Sequence, residues 1–137
     1  MPRPDENDHW LKVAQLTVSS LYLDRNQTYR GHCQLVYDGG HVEGLEQLDV
    51  EEYQRLTADL HRAARAISAA QRPDRMNYCS LGNVVPHVHW HIVPRYRSDP
   101  RWGSPMYTTD MRDMKMTRLD DAGYRQIVTE IRAQLEN

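Results

Sequence analysis

Cysteine is scarce in this chain: Cys33 and Cys79 stand alone, with no C-x-x-C pairing. That excludes a disulfide framework or a zinc ribbon and fits reduced thiols in the cytosol. Lysine is equally scarce, with two lysines against fifteen arginines, so the positive charge is mostly of the planar kind that matches phosphate. Neither sign of charge dominates, the formal net charge being -2. A protein that wraps duplex nucleic acid by bulk charge is therefore excluded, and no stable nucleic-acid complex is expected. No apolar run approaches the roughly 20 residues of a membrane-spanning helix. The opening MPRPDENDHW also lacks the basic-then-apolar order of a secretion signal. A cytoplasmic protein with no membrane partner is expected. There is no internal repeat and no low-complexity segment. What remains is 137 residues of ordinary composition, enough for a single domain over 1–137 with a real core.

The apolar pattern supplies the elements. Residues 1–9, with Pro2 and Pro4, read as a loose arm. Leu11, Val13 and Leu16, then Leu21 and Leu23, lie in short strand-like stretches, and Cys33–Tyr37 is a further strand closed by the turn signal Asp38-Gly39-Gly40. Asp49 followed three residues later by Glu52 resembles a capping box. Behind it Tyr53, Leu56, Leu60, Ala64 and Ile67 form a helical stripe that should end near Gln71, before Pro73. Met76–Leu81 and Val88–Pro94 read as strands, and residues 95–118 as irregular. A last helix runs from about Asp120 to Leu135, with Tyr124, Ile127, Val128, Ile131 and Leu135 on one face. The order predicts an α+β domain with a mainly antiparallel sheet and two principal helices.

Three of the seven histidines fall within five residues, in HVHWHIVPRY from His87 to Tyr96. On a strand, a period of two puts His87, His89 and His91 on one face and Val88, Trp90 and Ile92 on the other. The apolar face should pack under the helices, while the histidines, roughly 6 to 7 Å apart, share one site. Three readings compete: surface histidines on a wet face, a metal site of imidazoles, and nucleophilic catalysis by a central neutral imidazole flanked by phosphate-binding neighbours. The metal reading needs further inward ligands, and no carboxylate or thiol lies at a matching offset nearby.

The run His87-Val88-His89-Trp90-His91-Ile92-Val93 resembles the His-φ-His-φ-His-φ-φ signature of the histidine triad family of nucleotide hydrolases and transferases, all seven positions matching. The surrounding layout is similar too, from about Leu21 to Arg95: Gly31-His32 opens a strand, His41 follows the next turn, and Gly82-Asn83 precedes the triad. The resemblance implies a HIT-like fold. Within the family, the short form looks most like the bacterial branch related to dinucleoside polyphosphate and nucleotide phosphoramidate hydrolases.

The resemblance also implies residue roles. His89 matches the nucleophile that attacks the phosphorus on the nucleoside 5′ oxygen to form a nucleotidyl-histidine, which water then resolves. His87 and His91 would orient the phosphoryl group and stabilise its charge. Asp24, with Asn26 beside it, matches the position that holds the ribose hydroxyls, a task suited to a carboxylate that accepts from both. Asn77 and Asn83 match amides near the phosphate. His32 and His41 are expected as supports behind the triad, His32 near enough to count with the substrate-binding set. One position departs from many relatives: Val84 replaces a small hydroxyl residue that contacts phosphate or leaving group.

The expected substrate is an adenine nucleotide, the expected assembly a homodimer joined edge to edge. No metal site and no required cofactor are expected, although a divalent ion can arrive with a polyphosphate substrate. The alternatives are transfer of the nucleotidyl group to phosphate or another acceptor, a nucleotide-binding regulator without turnover, and a zinc-binding protein.

Overall fold

The computed structural model describes residues 3–106 and 116–136. Strands β1 (Trp10–Gln15), β2 (Ser19–Asp24) and β3 (Cys33–Tyr37) lead into helix α1 (Val50–Gln71). Strands β4 (Arg75–Cys79) and β5 (His89–Arg95) follow, and helix α2 (Asp121–Leu135) closes the described chain. Among the described residues the strands form one antiparallel sheet in the order β1-β2-β3-β5-β4, which is the α+β arrangement expected. None of the described helices is long and apolar enough to cross a membrane.

Both helices begin at an aspartate whose side chain accepts from the third residue on, Asp49 from Glu52 N and Asp120 from Gly123 N, each at 2.8 Å. Such a cap is worth about 1 kcal/mol. The helices cover one face of the sheet. Leu56, Ala63 and Ile67 of α1 and Ile127, Val128 and Ile131 of α2 share a core with Leu21, Leu23, Leu35, Val88, Trp90 and Ile92.

The buried stripe of α1 is shifted from the expected one: Leu56 and Ile67 are buried as expected, Leu60 and Ala64 only partly, and Ala63 and Ala66 are buried beside them. Tyr53, in the first turn, is 40% exposed, and Asp59 is buried in line with Leu56 and Ala63. The Asp59 carboxylate accepts from Thr17 N (3.1 Å), Val18 N (2.8 Å) and Ser19 Oγ (2.7 Å), so it satisfies the tight β1–β2 turn from beneath. A polar residue enters the core because unpaired backbone N–H groups were already there.

Strands β4 and β5 are shorter at their facing ends than the apolar pattern suggested, since residues 80–88 connect them outside the ladder. Residues 3–9 run along β1 and β2. Arg3 bonds Asp38 and Tyr22, Glu6 bridges to Leu11, and Trp10 Nε1 donates to the Pro4 carbonyl at 3.1 Å. Residues 96–106 and 116–120 hold no helix or strand, and 107–115 of the expected irregular segment lie outside the described residues.

Candidate functional site

The face of β5 away from the helices carries His89 and His91, and His87 continues the alternation just before the strand. The register fixes their neighbours: His89 stands across from Val36, and His91 across from Gln34 on one side and Cys79 on the other. Edge-on, the His89 and His91 rings lie 5.3 Å apart between centroids.

Each ring is held by a different device. His89 Nδ1 is 2.7 Å from the carbonyl oxygen of His87. A carbonyl only accepts, so Nδ1 carries the proton and the neutral ring keeps its lone pair on Nε2. His87 Nε2 likewise donates to the Tyr37 carbonyl at 2.7 Å, and its ring is stacked on that of His41 at 5.7 Å. His91 Nδ1 lies 2.9 Å from Nε2 of His32, whose side chain is almost wholly buried. Burial drives the His91 pKa down to about 3, helped by His32 and His89, and burial lowers His32 also, against the opposing pull of Asp24. The pair is therefore uncharged at neutral pH, with a single proton between the two nitrogens.

His32 reaches this position through a shaped turn. Gly31 has φ +91°, and a Cβ there would meet Gln71 Cγ at 2.8 Å and Pro94 Cγ at 3.0 Å, so both conformation and space call for glycine. The buried Gln27 organises the turn: its Oε1 accepts from Gly31 N (2.7 Å), and its Nε2 donates to the carbonyls of Asp24 (2.7 Å) and His32 (3.1 Å). Gln27 was not singled out from the sequence, because its partners are backbone groups that only the folded turn brings to it.

The other expected residues divide. Asp24 joins the histidines, with Oδ2 3.7 Å from His32 Nε2 and accepting from Gln34 Nε2 at 2.8 Å. Asn26 turns its Oδ1 to Thr28 and Thr117, with bonds of 2.7 Å to Thr28 Oγ1 and 3.1 Å to Thr117 N. Asn77 Oδ1 accepts from Arg95 Nη1 at 2.9 Å. Asn83 lies exposed after Gly82, which has φ +72°, and Val84 beside it is 94% exposed.

Arg95 is the other residue that sequence reasoning passed over. Almost fully buried, it ion-pairs with Asp99 at 2.8 Å and donates to the carbonyls of Arg101 (2.7 Å) and Ser104 (2.9 Å). Its guanidinium lies 4.7 Å over the Tyr29 ring. It ties residues 99–104 down on the histidine face, where Tyr29, Val93 and Met106 form a second small core.

Beside His87 opens a cleft of about 630 Å³ between Arg3, Lys12, Tyr22 and His41. Ser20 and Tyr22 line it and pair across β3 with Val36 and Gln34, the partners of His89 and His91, so cleft and triad share one face. The face thus offers a directed imidazole lone pair, an uncharged His32–His91 pair, a half-buried carboxylate and a cleft with two permanent cations, Arg3 and Lys12.

The same architecture recurs in known proteins. Residues 8–98 match the HIT domain, and the chain belongs to that family, whose members bind nucleotides and include hydrolases and transferases acting on them. It is similar to an uncharacterized HIT-like protein of Mycoplasma genitalium, 27% identical over 109 residues that cover 76% of this chain and 77% of that protein. The fold is that of a histidine triad protein of Bradyrhizobium japonicum, with TM-score 0.84, 22% identity, and coverage of 93% of this chain and 92% of that one. It is also that of a histidine triad protein of Sinorhizobium meliloti, with TM-score 0.83, 19% identity, and coverage of 92% and 90%.

Proposed function

We propose that the protein is a nucleotide hydrolase that cleaves dinucleoside polyphosphates or nucleotide phosphoramidates through a nucleotidyl-histidine, in a single domain spanning 1–137. The observation that carries this reading is the bond from His89 Nδ1 to the His87 carbonyl, which leaves Nε2 as the lone-pair nitrogen. In the first step Nε2 attacks the phosphorus on the nucleoside 5′ oxygen, and the bond to the polyphosphate or amine leaving group breaks. In the second, water attacks the same phosphorus, the P–N bond breaks, and the nucleotide leaves with the imidazole restored. His87 and His91 serve the phosphoryl oxygens. When His32 is the donor in the His32–His91 pair, the His91 proton sits on Nε2, from which it can donate to a phosphate oxygen.

Asp24 would take the ribose hydroxyls, with adenine as the base, and Asn26, His32, Asn77 and Asn83 act around it in the roles the family resemblance implies. The reaction itself uses no cofactor. β4 lies at the edge of the sheet with Tyr78 half exposed, which supports edge-to-edge pairing into a homodimer. The two scarce, unpaired cysteines support a cytoplasmic setting.

The test is AMP release from diadenosine tetraphosphate and from an adenosine phosphoramidate, measured side by side with the natural protein and His89→Ala, with and without chelator. Release that survives chelation and vanishes in the variant supports the reading. Undiminished release in His89→Ala sinks it. Product that forms only with added phosphate identifies a transferase, and tight nucleotide binding without product identifies a regulator.

A further inference from the structure

Resting on the hydrolase reading, we propose that Arg3 and Lys12 seat the leaving polyphosphate chain in the cleft beside His87 and so direct the site to dinucleoside polyphosphates over phosphoramidates. The cleft, about 630 Å³, runs from His87 and Asp38 past Ser20 and Tyr22 of β2 to Lys12 of β1. Since β1, β2, β3 and β5 are neighbours in that order, it crosses three strand spacings, roughly 14 Å, which suits an extended chain better than a single phosphate. Asp24, which takes the ribose in that reading, lies at the end of β2 beside His32, the partner of His91, on the other side of His89 from His87. A chain that leaves the phosphorus away from the nucleoside therefore passes His87 and enters the cleft.

Both cations are held on the cleft wall. Arg3 Nε donates to the Tyr22 hydroxyl at 3.1 Å, Nη2 pairs with Asp38, and the guanidinium lies 5.7 Å over the Tyr22 ring. Its Nη1 has no partner among the described residues. Asp38, the one carboxylate among the described lining residues, also accepts from Gln15 Nε2 and Ser20 Oγ, each at 2.6 Å. Lys12 Nζ donates to Gln15 Oε1 at 3.0 Å and stands 3.9 Å from Asp5, whose side chain is 82% exposed, so water screens that pair. One bonded chain, Lys12–Gln15–Asp38–Arg3, thus joins the two cations and fixes them before any ligand arrives. Arg3 also precedes residues 8–98, the span that matches the HIT domain, so this cation comes from the chain's own N-terminal arm.

The leaving group decides what the site must supply. When a phosphoanhydride breaks, the bridging oxygen keeps the electron pair and the departing chain gains one negative charge, which fixed cations offset without any proton transfer. An amine must instead take up a proton as the P–N bond breaks. The cleft offers charge, and Val84 offers no hydroxyl to donate.

The test has two arms. In the first, inorganic tripolyphosphate is titrated into the full-length protein by calorimetry without divalent metal. One equivalent is expected to bind, about tenfold more weakly in Arg3→Gln and in Lys12→Gln, and unchanged in Arg125→Gln, which alters α2 outside the cleft. In the second, kcat/KM for diadenosine tetraphosphate should fall about tenfold in Arg3→Gln while that for the adenosine phosphoramidate holds, and Arg3→Lys should restore part of the loss. A merely structural arm would lower both substrates together. Tripolyphosphate that fails to bind, or that binds all the variants equally, overturns the proposal, as does an equal loss on both substrates. Calorimetric failure with both substrates still turned over removes the subsite and keeps the hydrolase, whereas tripolyphosphate bound at Arg3 and Lys12 with neither substrate consumed keeps an anion site and removes the hydrolase, and with it the leaving-group role.

Discussion

The two faces of the segment His87–Val93, which enters β5, are made by the same seven residues and do opposite work. On one, Val88, Trp90 and Ile92 share the core with residues of both helices and contribute through area removed from water, a force without direction. On the other, every histidine ring is aimed by a named bond: His87 to a carbonyl, His89 to a carbonyl, His91 to His32. The comparison teaches that stability and chemistry can be separated along a single strand, one to each side. Substitutions on the helix face should move the melting temperature. Those on the histidine face should move activity and pH response.

The sharpest break of that division is at His89. His89→Ala is expected to lower AMP release by about a thousandfold or more with little change in melting temperature, because the lost atom is the nucleophile itself. A parallel loss of stability in that variant would mean that the histidine face also holds the fold together. Across the strand, Trp90→Ala should cost about 3 to 5 kcal/mol of stability in denaturant titration. The smaller partner substitution, Ile92→Val, should cost about 0.5 to 1.5 kcal/mol and leave turnover unchanged.

Acid tests the histidine face differently. An unfolded histidine takes up its proton near pH 6.5, whereas folded His91 resists to about pH 3, and His32 is lowered in the same direction. Between those values the unfolded chain binds the extra protons. The contribution to stability is therefore complete above about pH 6.5 and is lost progressively as pH falls toward 3. His91→Gln should flatten the fall in chemical-denaturation stability over that window. An unchanged slope would show that other groups carry the acid sensitivity.

Much of this was legible in advance, and for local reasons. The alternation from His87 to Ile92 places side chains on two faces once the segment is a strand. The cap at Asp49 announces α1 within four residues, and the face of α2 from Tyr124 to Leu135 reads directly from its period. The residues that escaped notice are polar groups whose partners lie elsewhere. Asp59 looks like a surface residue of a helix until the β1–β2 turn is brought over it from 40 to 42 residues away. Arg95 opens the stretch that reads as irregular, yet it ends β5 and is buried by the loop that it organises. Burial depends on what folds back over a residue, and local pattern carries no record of that.

The sequence by itself determined the element order, the α+β class, and the separation of histidines from apolar residues on β5, because periods of two and 3.6 are properties of the local backbone. Only the tertiary structure decided which ring nitrogen of His89 holds the proton, and that His91 meets His32 rather than solvent. It alone brought Asp24 to the same point. Hydrogen-bond direction and burial are set by atoms from several strands at once, and a tautomer, a depressed pKa or a convergent set of donors exists only after those strands have been laid side by side.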